Sequence, residues 1–240
     1  MPRIIHAISG PRNISTALLY AFSQRSGCVG VDEPFYGPFL ERTGLDHPGR
    51  KEILEAVPNS PADAVKALET LFAQGHEEIY LKNMAHHMVE MPWEWAREAA
   101  HIFWIRHPRK VIRSFAKVWP SVTLEDIGIQ EQVEQWEAIQ SFHGPKILVD
   151  SDEMLANPAH AFPVICDAAG IAFDPHMLHW PAGPKSNDGP WWPHWYSQVH
   201  ASTGFGPASE LGLPLEGRYA EVEAQALPFY ENLYSQRLTF

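Results

Sequence analysis

A chain of 240 residues, 45% hydrophobic and 20% charged, is long enough for one α/β domain with a sizeable core. Its 29 acidic residues outnumber 18 basic ones, a net charge of −11, which excludes general nucleic-acid or anionic-membrane binding because both need a basic surface. An anion site here must be a local positive pocket in a negative protein. Cys28 and Cys166 have no metal spacing and read as two reduced thiols, and no signal-peptide pattern or membrane-length apolar run is present. A cytoplasmic protein is expected.

Ile4 to Ile8 is a short apolar run that predicts a buried strand. It breaks at Ser9-Gly10-Pro11, and apolar residues resume at helical spacing with Ile14, Leu18, Leu19 and Phe22. A strand, a tight turn and a helix with Ser15 and Thr16 in its first turn form a cradle for a phosphate-like anion. The first helical N–H groups lack internal partners, and the helix dipole adds positive potential there. Arg12 adds a full charge. The nucleotide loop G-x-x-x-x-G-K-[ST] does not fit: counted from Gly10, its second Gly falls on Ser15 and its Lys on Thr16. The same stretch also reads as a plain surface turn capping a helix.

Cys28 to Val31 predicts a second strand, ending at Asp32-Glu33. Residues 36–60 read as a helical insertion, clearest over Arg50 to Ala56. Ser60 and Pro61 then cap a helix whose apolar side is Ala64, Leu68, Leu71 and Phe72. Ile79-Tyr80-Leu81 is the third strand and leads into Lys82, Asn83, Met84, Ala85, His86 and His87. A helix over Pro92 to Ala100 is expected before the strand His101 to Ile105, which ends at Arg106. Pro108 opens the next helix, with Val111, Ile112, Phe115 and Val118 on its apolar side. A further helix spans about 130–142, a strand Ile147 to Val149 ends at Asp150, and two helices follow to Ala169. Residues 181–219 form an irregular cover rich in Trp and Pro, with four of the nine tryptophans between Trp180 and Trp195. A final helix is expected over 220–238.

Strands alternating with helices imply a parallel sheet covered on both faces, in one domain spanning 1–240. In such sheets the ligand crevice lies outside the carboxyl ends of the strands. The residues just past each strand therefore share one rim: the 9–16 turn, Asp32-Glu33, Lys82 to His87, Arg106-His107 and Asp150. His176 and His179 have helical spacing but no third ligand nearby, so no metal site is expected.

The second strong signal is the run Phe103 to Phe115, in which Arg106 ends a strand, Pro108 starts a helix and Ser114 follows eight residues after Arg106. That spacing places a planar guanidinium fork and a hydroxyl over one spot. With Pro11-Arg12-Asn13-Ile14-Ser15-Thr16, it resembles the sulfotransferase family of P-loop-like folds, whose first loop reads Pro-[Lys/Arg]-Ser-Gly-Thr-[Ser/Thr]. Val149 to Leu155, then Asn157-Pro158 and Gly170-Ile171, are similar to that family's later segment, so the likeness runs over about residues 3–180.

The resemblance implies a donor, 3′-phosphoadenylyl sulfate, bound by Gly10, Pro11, Arg12, Asn13, Ile14, Ser15 and Thr16 at its 5′-phosphosulfate. Arg106 and Ser114 would take its 3′-phosphate. It implies in-line transfer of a sulfuryl group to a hydroxyl or amine of a small-molecule acceptor, with no metal required. Arg12 and Lys82 would be the cations at the transferring group, and His86, His87 or Glu33 the base. Asn13 and Ile14 stand where the family has Ser-Gly. The family's C-terminal Arg-Lys-Gly signature is missing, and Gly183 to Gly189 is its stand-in, with Lys185 reaching the 3′-phosphate.

Two rivals remain at this stage. One is a P-loop-type phosphotransferase, with Asp150 as the Mg-holding residue but without the loop Lys such enzymes use. The other is a non-catalytic nucleotide or anion sensor.

Overall fold

The computed structural model describes residues 2–240. Between β1 (Arg3–Ser9) and β2 (Cys28–Asp32) lies α1 (Ser15–Ser23). Three helices, α2 (Tyr36–Thr43), α3 (Arg50–Ala56) and α4 (Pro61–Phe72), lead to β3 (Glu78–Met84). β4 (Ala100–Ile105) is followed by α5 (Pro108–Phe115), α6 (Leu124–Ile127) and α7 (Ile129–Ala138). β5 (Lys146–Asp150) is followed by α8 (Ser151–Ala156) and α9 (Pro158–Ala168). The tail holds two one-turn helices, α10 (Trp192–Trp195) and α11 (Ser197–His200), and the long α12 (Gly217–Tyr234).

The five strands are parallel throughout and ordered β2-β3-β1-β4-β5. The chain leaves β1 toward β2 on one side and leaves β4 toward β5 on the other. The reversal therefore falls between β1 and β4, which is where an open sheet of this kind forms its ligand crevice. Register brings the strand ends level: Ser9 lies across from Met84 and Trp104, and Asp32 across from Lys82.

Both faces of the sheet are buried, which is why its strands read as continuous apolar runs. On one face Ile5, Tyr80, Ile102 and Trp104 pack under Leu18, Leu19 and Phe22 of α1 and Phe162 of α9. On the other, Ile8, Phe103 and Leu148 meet Val111 and Ile112 of α5, Val133 of α7 and Leu233 of α12. Leu18, Leu19 and Phe22 are fully buried. Each such burial contributes roughly 1.5–3 kcal/mol, enough to fix the direction in which α1 presents its first turn.

Helix starts follow local chemistry. Ser60 accepts from the Asp63 N–H at 3.1 Å ahead of Pro61. His107 accepts from the Arg109 N–H at 3.2 Å and Pro108 opens α5. Asp150 accepts from the N–H groups of Asp152 and Glu153 at 2.9 and 3.0 Å and so starts α8.

The segment from Pro92 to Ala100 departs from the expected helix. Only a 3₁₀ turn, Glu94–Ala96, forms there, and Ala100 already belongs to β4. Trp93 and Trp95 both turn onto the buried His6 ring, at 5.4 and 5.1 Å between centroids. Two residues apart, they could not share one face of a helix, and aromatic burial decides against helical propensity.

Candidate active site

The turn after β1 is shaped from within. A Cβ on Gly10 would stand 2.5 Å from the Ile127 carbonyl oxygen, so only glycine fits that approach. Arg12 and Ile14 hold left-handed backbones, with φ of 57° and 50°. For the β-branched Ile14 that conformation is strained, and it falls where the resemblance expects glycine. Asn13 is the staple that holds the turn. Its amide donates to the Trp104 carbonyl at 2.6 Å and its oxygen accepts from the Ser151 hydroxyl. The Asn13 side chain is thus spent inside the protein, and what it offers a ligand is main chain. No side chain caps α1, so its first N–H groups stay unclaimed by a capping residue, and Ser15, Thr16 and Ala17 line the cleft beside them.

A second cationic group closes on this turn from β4 and α5. Arg106 donates through Nη1 to the Arg12 carbonyl at 2.7 Å and through Nη2 to the Ser209 hydroxyl at 3.0 Å. Arg12 in turn donates through Nε to the Ser114 hydroxyl at 3.0 Å, so Arg12, not its own helix, is the partner of Ser114. Asp152 sits 3.6 Å from Arg106 Nε and 3.1 Å from Lys110 Nζ. Two cations therefore flank one carboxylate, and with Arg12 beside them the local balance is positive in an acidic protein. Burial, then the charge of Arg106, draws the Arg12 pKa down. Among the described residues Arg106 Nε is buried without a hydrogen-bond partner, with the Asp152 carboxylate as its counter-charge.

The third group lies at the ends of β2 and β3. Lys82 is 2% exposed and its three ammonium hydrogens are all engaged: Asp32 Oδ1 at 2.8 Å, Glu33 Oε1 at 2.6 Å and the Tyr196 hydroxyl at 2.7 Å. Burial lifts the Glu33 carboxyl to about 7, with Lys82 pulling the other way and Asp32 adding to the rise. His87 stacks on Tyr36 at 4.4 Å, and its Nδ1 stands 3.5 Å from Glu33 Oε2. Burial, then neighbouring His86, pushes the His87 pKa well below the ordinary histidine value, which keeps the ring neutral. His86 is held differently, by a 2.7 Å contact from Nε2 to the Glu125 carbonyl.

These groups open onto one cleft of about 920 Å³, lined by the 11–17 turn, Glu33, Lys82, His86, His87, Arg106 and Ser114. A volume of that order accommodates a nucleotide-sized ligand. Trp191, Trp195 and Phe39 supply apolar wall beside the Glu33–His87 pair.

Two residues expected to meet the ligand sit elsewhere. Lys185 does not line the cleft: its ammonium is tied to the carbonyls of Pro181 and Gly183 at 2.5 and 2.6 Å and lies over the Tyr20 ring. The carbonyls of its own tight loop are nearer than any ligand could be. Gly10 is packed against Ile127 beneath the turn. Asp150 caps α8, accepts from the Tyr230 hydroxyl at 2.8 Å and is buried, and it is not among the residues that line the cleft, where the phosphotransferase reading needs it.

Sequence reasoning missed Tyr196, Asp152 and Gln132. Gln132 adds a second amide to the Trp104 carbonyl, at 3.0 Å. Tyr196 stood in the aromatic cover with no spacing that tied it to Lys82.

Residues 3–237 match a family described as "Sulfotransferase domain". The chain belongs to that family. It is 34% identical over 236 residues to the Arabidopsis thaliana protein named "Branched-chain-amino-acid aminotransferase-like protein 1", covering 98% of this chain and 42% of that one. Its likeness to "Branched-chain-amino-acid aminotransferase-like protein 2" from the same organism is 32% over 232 residues, 96% of this chain and 41% of that one. The chain thus spans about two-fifths of the length of the curated relatives it matches.

Among solved structures, the sulfotransferase domain of the Synechococcus PCC 7002 olefin synthase superposes with a TM-score of 0.65 at 18% identity, over 99% of this chain and 96% of that one. A sulfotransferase from Alicyclobacillus acidocaldarius gives 0.57 at 11%, over 100% and 97%. At these identities the likeness carries the fold. Among the described residues of the sulfotransferase, no helix is long and apolar enough to cross a membrane.

Proposed function

We propose that this sulfotransferase takes its sulfuryl group from 3′-phosphoadenylyl sulfate and passes it to a hydroxyl or amine of a small-molecule acceptor. The observation that carries the reading is the 2.7 Å bond from Arg106 to the Arg12 carbonyl, which joins two cation-bearing turns at the reversal of the sheet. The uncapped start of α1, with Ser15 and Thr16, receives the 5′-phosphosulfate. Arg106 and Ser114 receive the 3′-phosphate, and Lys110 adds its charge behind them.

Arg12 neutralises charge on the departing phosphate, the place where fixed cations lower a barrier most. The acceptor oxygen or nitrogen bonds to sulfur as the bond from sulfur to the 5′-phosphate oxygen breaks. The acceptor proton passes to the Glu33–His87 pair, and adenosine 3′,5′-bisphosphate leaves. Within the pair, His87 is neutral and Glu33 lies behind its Nδ1, the arrangement in which a carboxylate orients an imidazole base. The base thus comes from Glu33 and His87, while His86 stays on the Glu125 carbonyl.

The test is calorimetric titration with adenosine 3′,5′-bisphosphate in EDTA, followed by transfer of labelled sulfate across an acceptor panel. Tight binding without Mg²⁺ supports the reading. Binding of ATP only with Mg²⁺, and none of the bisphosphate, overturns it.

A further inference from the structure

The Lys82 ammonium has no hydrogen left for a ligand, because Asp32, Glu33 and Tyr196 take all three. The Tyr196 hydroxyl is saturated as well. It accepts from Lys82 at 2.7 Å and from Trp191 Nε1 at 2.9 Å, and donates to Asp32 Oδ2 at 2.6 Å. Asp32 Oδ2 also accepts from the Gly189 N–H at 3.0 Å. Two strand ends and the aromatic cover therefore meet in one buried, mutually bonded network at the cleft wall, in which Glu33 is the member that faces His87. Its Oε1 is fixed by Lys82 and its Oε2 faces His87.

We infer that Lys82 is a positioning residue that acts through Glu33 and not a cation that touches the transferred group, and that Tyr196, from the C-terminal cover, is the residue that holds it in that role. This rests on the Glu33–His87 pair being the proton acceptor. Lys82 favours the charged form of Glu33, and Asp32 opposes it across the shared ammonium. The Tyr196 hydroxyl damps Asp32 by donating to it. Removing that hydroxyl leaves the Asp32 charge more fully felt at Glu33, so Glu33 holds its proton to higher pH. The other titratable or charged groups facing the pair are His86, next to His87 in sequence, and Tyr36, His47 and Arg42 from the 36–60 segment. None of these bonds to Tyr196, so its loss leaves them in place.

The decisive variant is Tyr196→Phe, which keeps the ring against Lys82, 5.0 Å from its ammonium, and deletes the hydroxyl. The full chain is labelled at histidine, and the His87 ring resonance, assigned by its loss in His87→Gln, is followed from pH 5 to 9. The midpoint seen at His87 is expected to rise by about half a pH unit or more, the size of one lost hydrogen bond. Affinity for adenosine 3′,5′-bisphosphate is expected to stay within about two-fold, since no phosphate contact is removed.

An unchanged midpoint, or none in either chain, overturns the inference. So does a Lys82→Met variant that loses affinity for 3′-phosphoadenylyl sulfate but not for the bisphosphate, because that would place Lys82 on the sulfuryl group. Should Lys82→Met not fold, the Tyr196→Phe midpoint decides alone. A wild-type chain that binds neither nucleotide refutes the donor assignment, and the midpoint still settles how Lys82 and Tyr196 act on Glu33.

Discussion

Arg12 Nε and the Ser114 hydroxyl lie 3.0 Å apart although 102 residues separate them in the chain. The bond links the loop after β1 to the last turn of α5, where the Arg12 Nε–H donates to the Ser114 hydroxyl. On the proposed reading, a phosphate bound in the cleft would have to compete with this bond for both groups.

Replacing Arg106 by Ala removes the anchor on the Arg12 carbonyl together with a guanidinium fork. Affinity for adenosine 3′,5′-bisphosphate is expected to fall roughly 10- to 100-fold, the range for losing a charge-assisted hydrogen bond. Calorimetry in EDTA measures it. Retained affinity would show that the 3′-phosphate is held elsewhere.

Asp152 is the carboxylate that offsets Arg106 and Lys110, and both of its oxygens are buried without a hydrogen-bond donor among the described residues. Asp152→Asn makes the site more positive. Binding of the bisphosphate should tighten several-fold at low salt, with a steeper decline as salt is added. Thermal stability in the absence of ligand should drop, because Arg12, Arg106 and Lys110 then repel one another unrelieved. Parallel melting and titration experiments check both signs.

His6 and His101, on adjacent strands beneath the sheet, have pKa values drawn down by burial, to about 4 for His101. His87 shifts the same way. Each imidazole is neutral when folded and takes a proton more readily when unfolded. Their stabilising effect is therefore complete above the ordinary value of 6.5 and declines as pH falls below it. Glu33 opposes this, since its raised pKa lets the folded state gain a proton first. Burial also draws down His47 and His107 and raises Asp150, so five histidines act against two carboxyls, and the melting temperature should fall between pH 7.5 and 5. His101→Phe should flatten that slope whatever it does to the value at pH 8.

Gly10→Ala places a methyl group 2.5 Å from the Ile127 carbonyl oxygen. The backbone must move, at a cost of about 1–3 kcal/mol of stability. Because the same turn presents Arg12, ligand affinity should fall along with the melting temperature. A normal melt and normal affinity would show that the 10–14 turn yields freely.

The sheet was legible because parallel strands buried on both faces must be apolar throughout, and the runs around Ile5, Tyr80, Phe103 and Leu148 are. The two cationic turns were legible because the resemblance ties both to a strand end and a helix start, which are local features. What escaped was non-local. Tyr196 reaches Lys82 across 114 positions, and nothing in either neighbourhood encodes the bond. Lys185 was misplaced for the converse reason: its immediate loop satisfies it, so a distant phosphate has no claim on it. Trp93 and Trp95 had helical company in sequence, but the partner that decided their fate was His6, almost ninety residues earlier.

The Trp104 carbonyl accepts amides from both Asn13 and Gln132, so the first turn and α7 share a single fixed point behind the cleft. Arg12 and Ile14, both with left-handed backbones, flank Asn13 in sequence, so that rear attachment sits at the centre of the strained turn. A substitution of Gln132 on α7 therefore acts on the first turn from behind, through the Trp104 carbonyl and not through any group that lines the cleft.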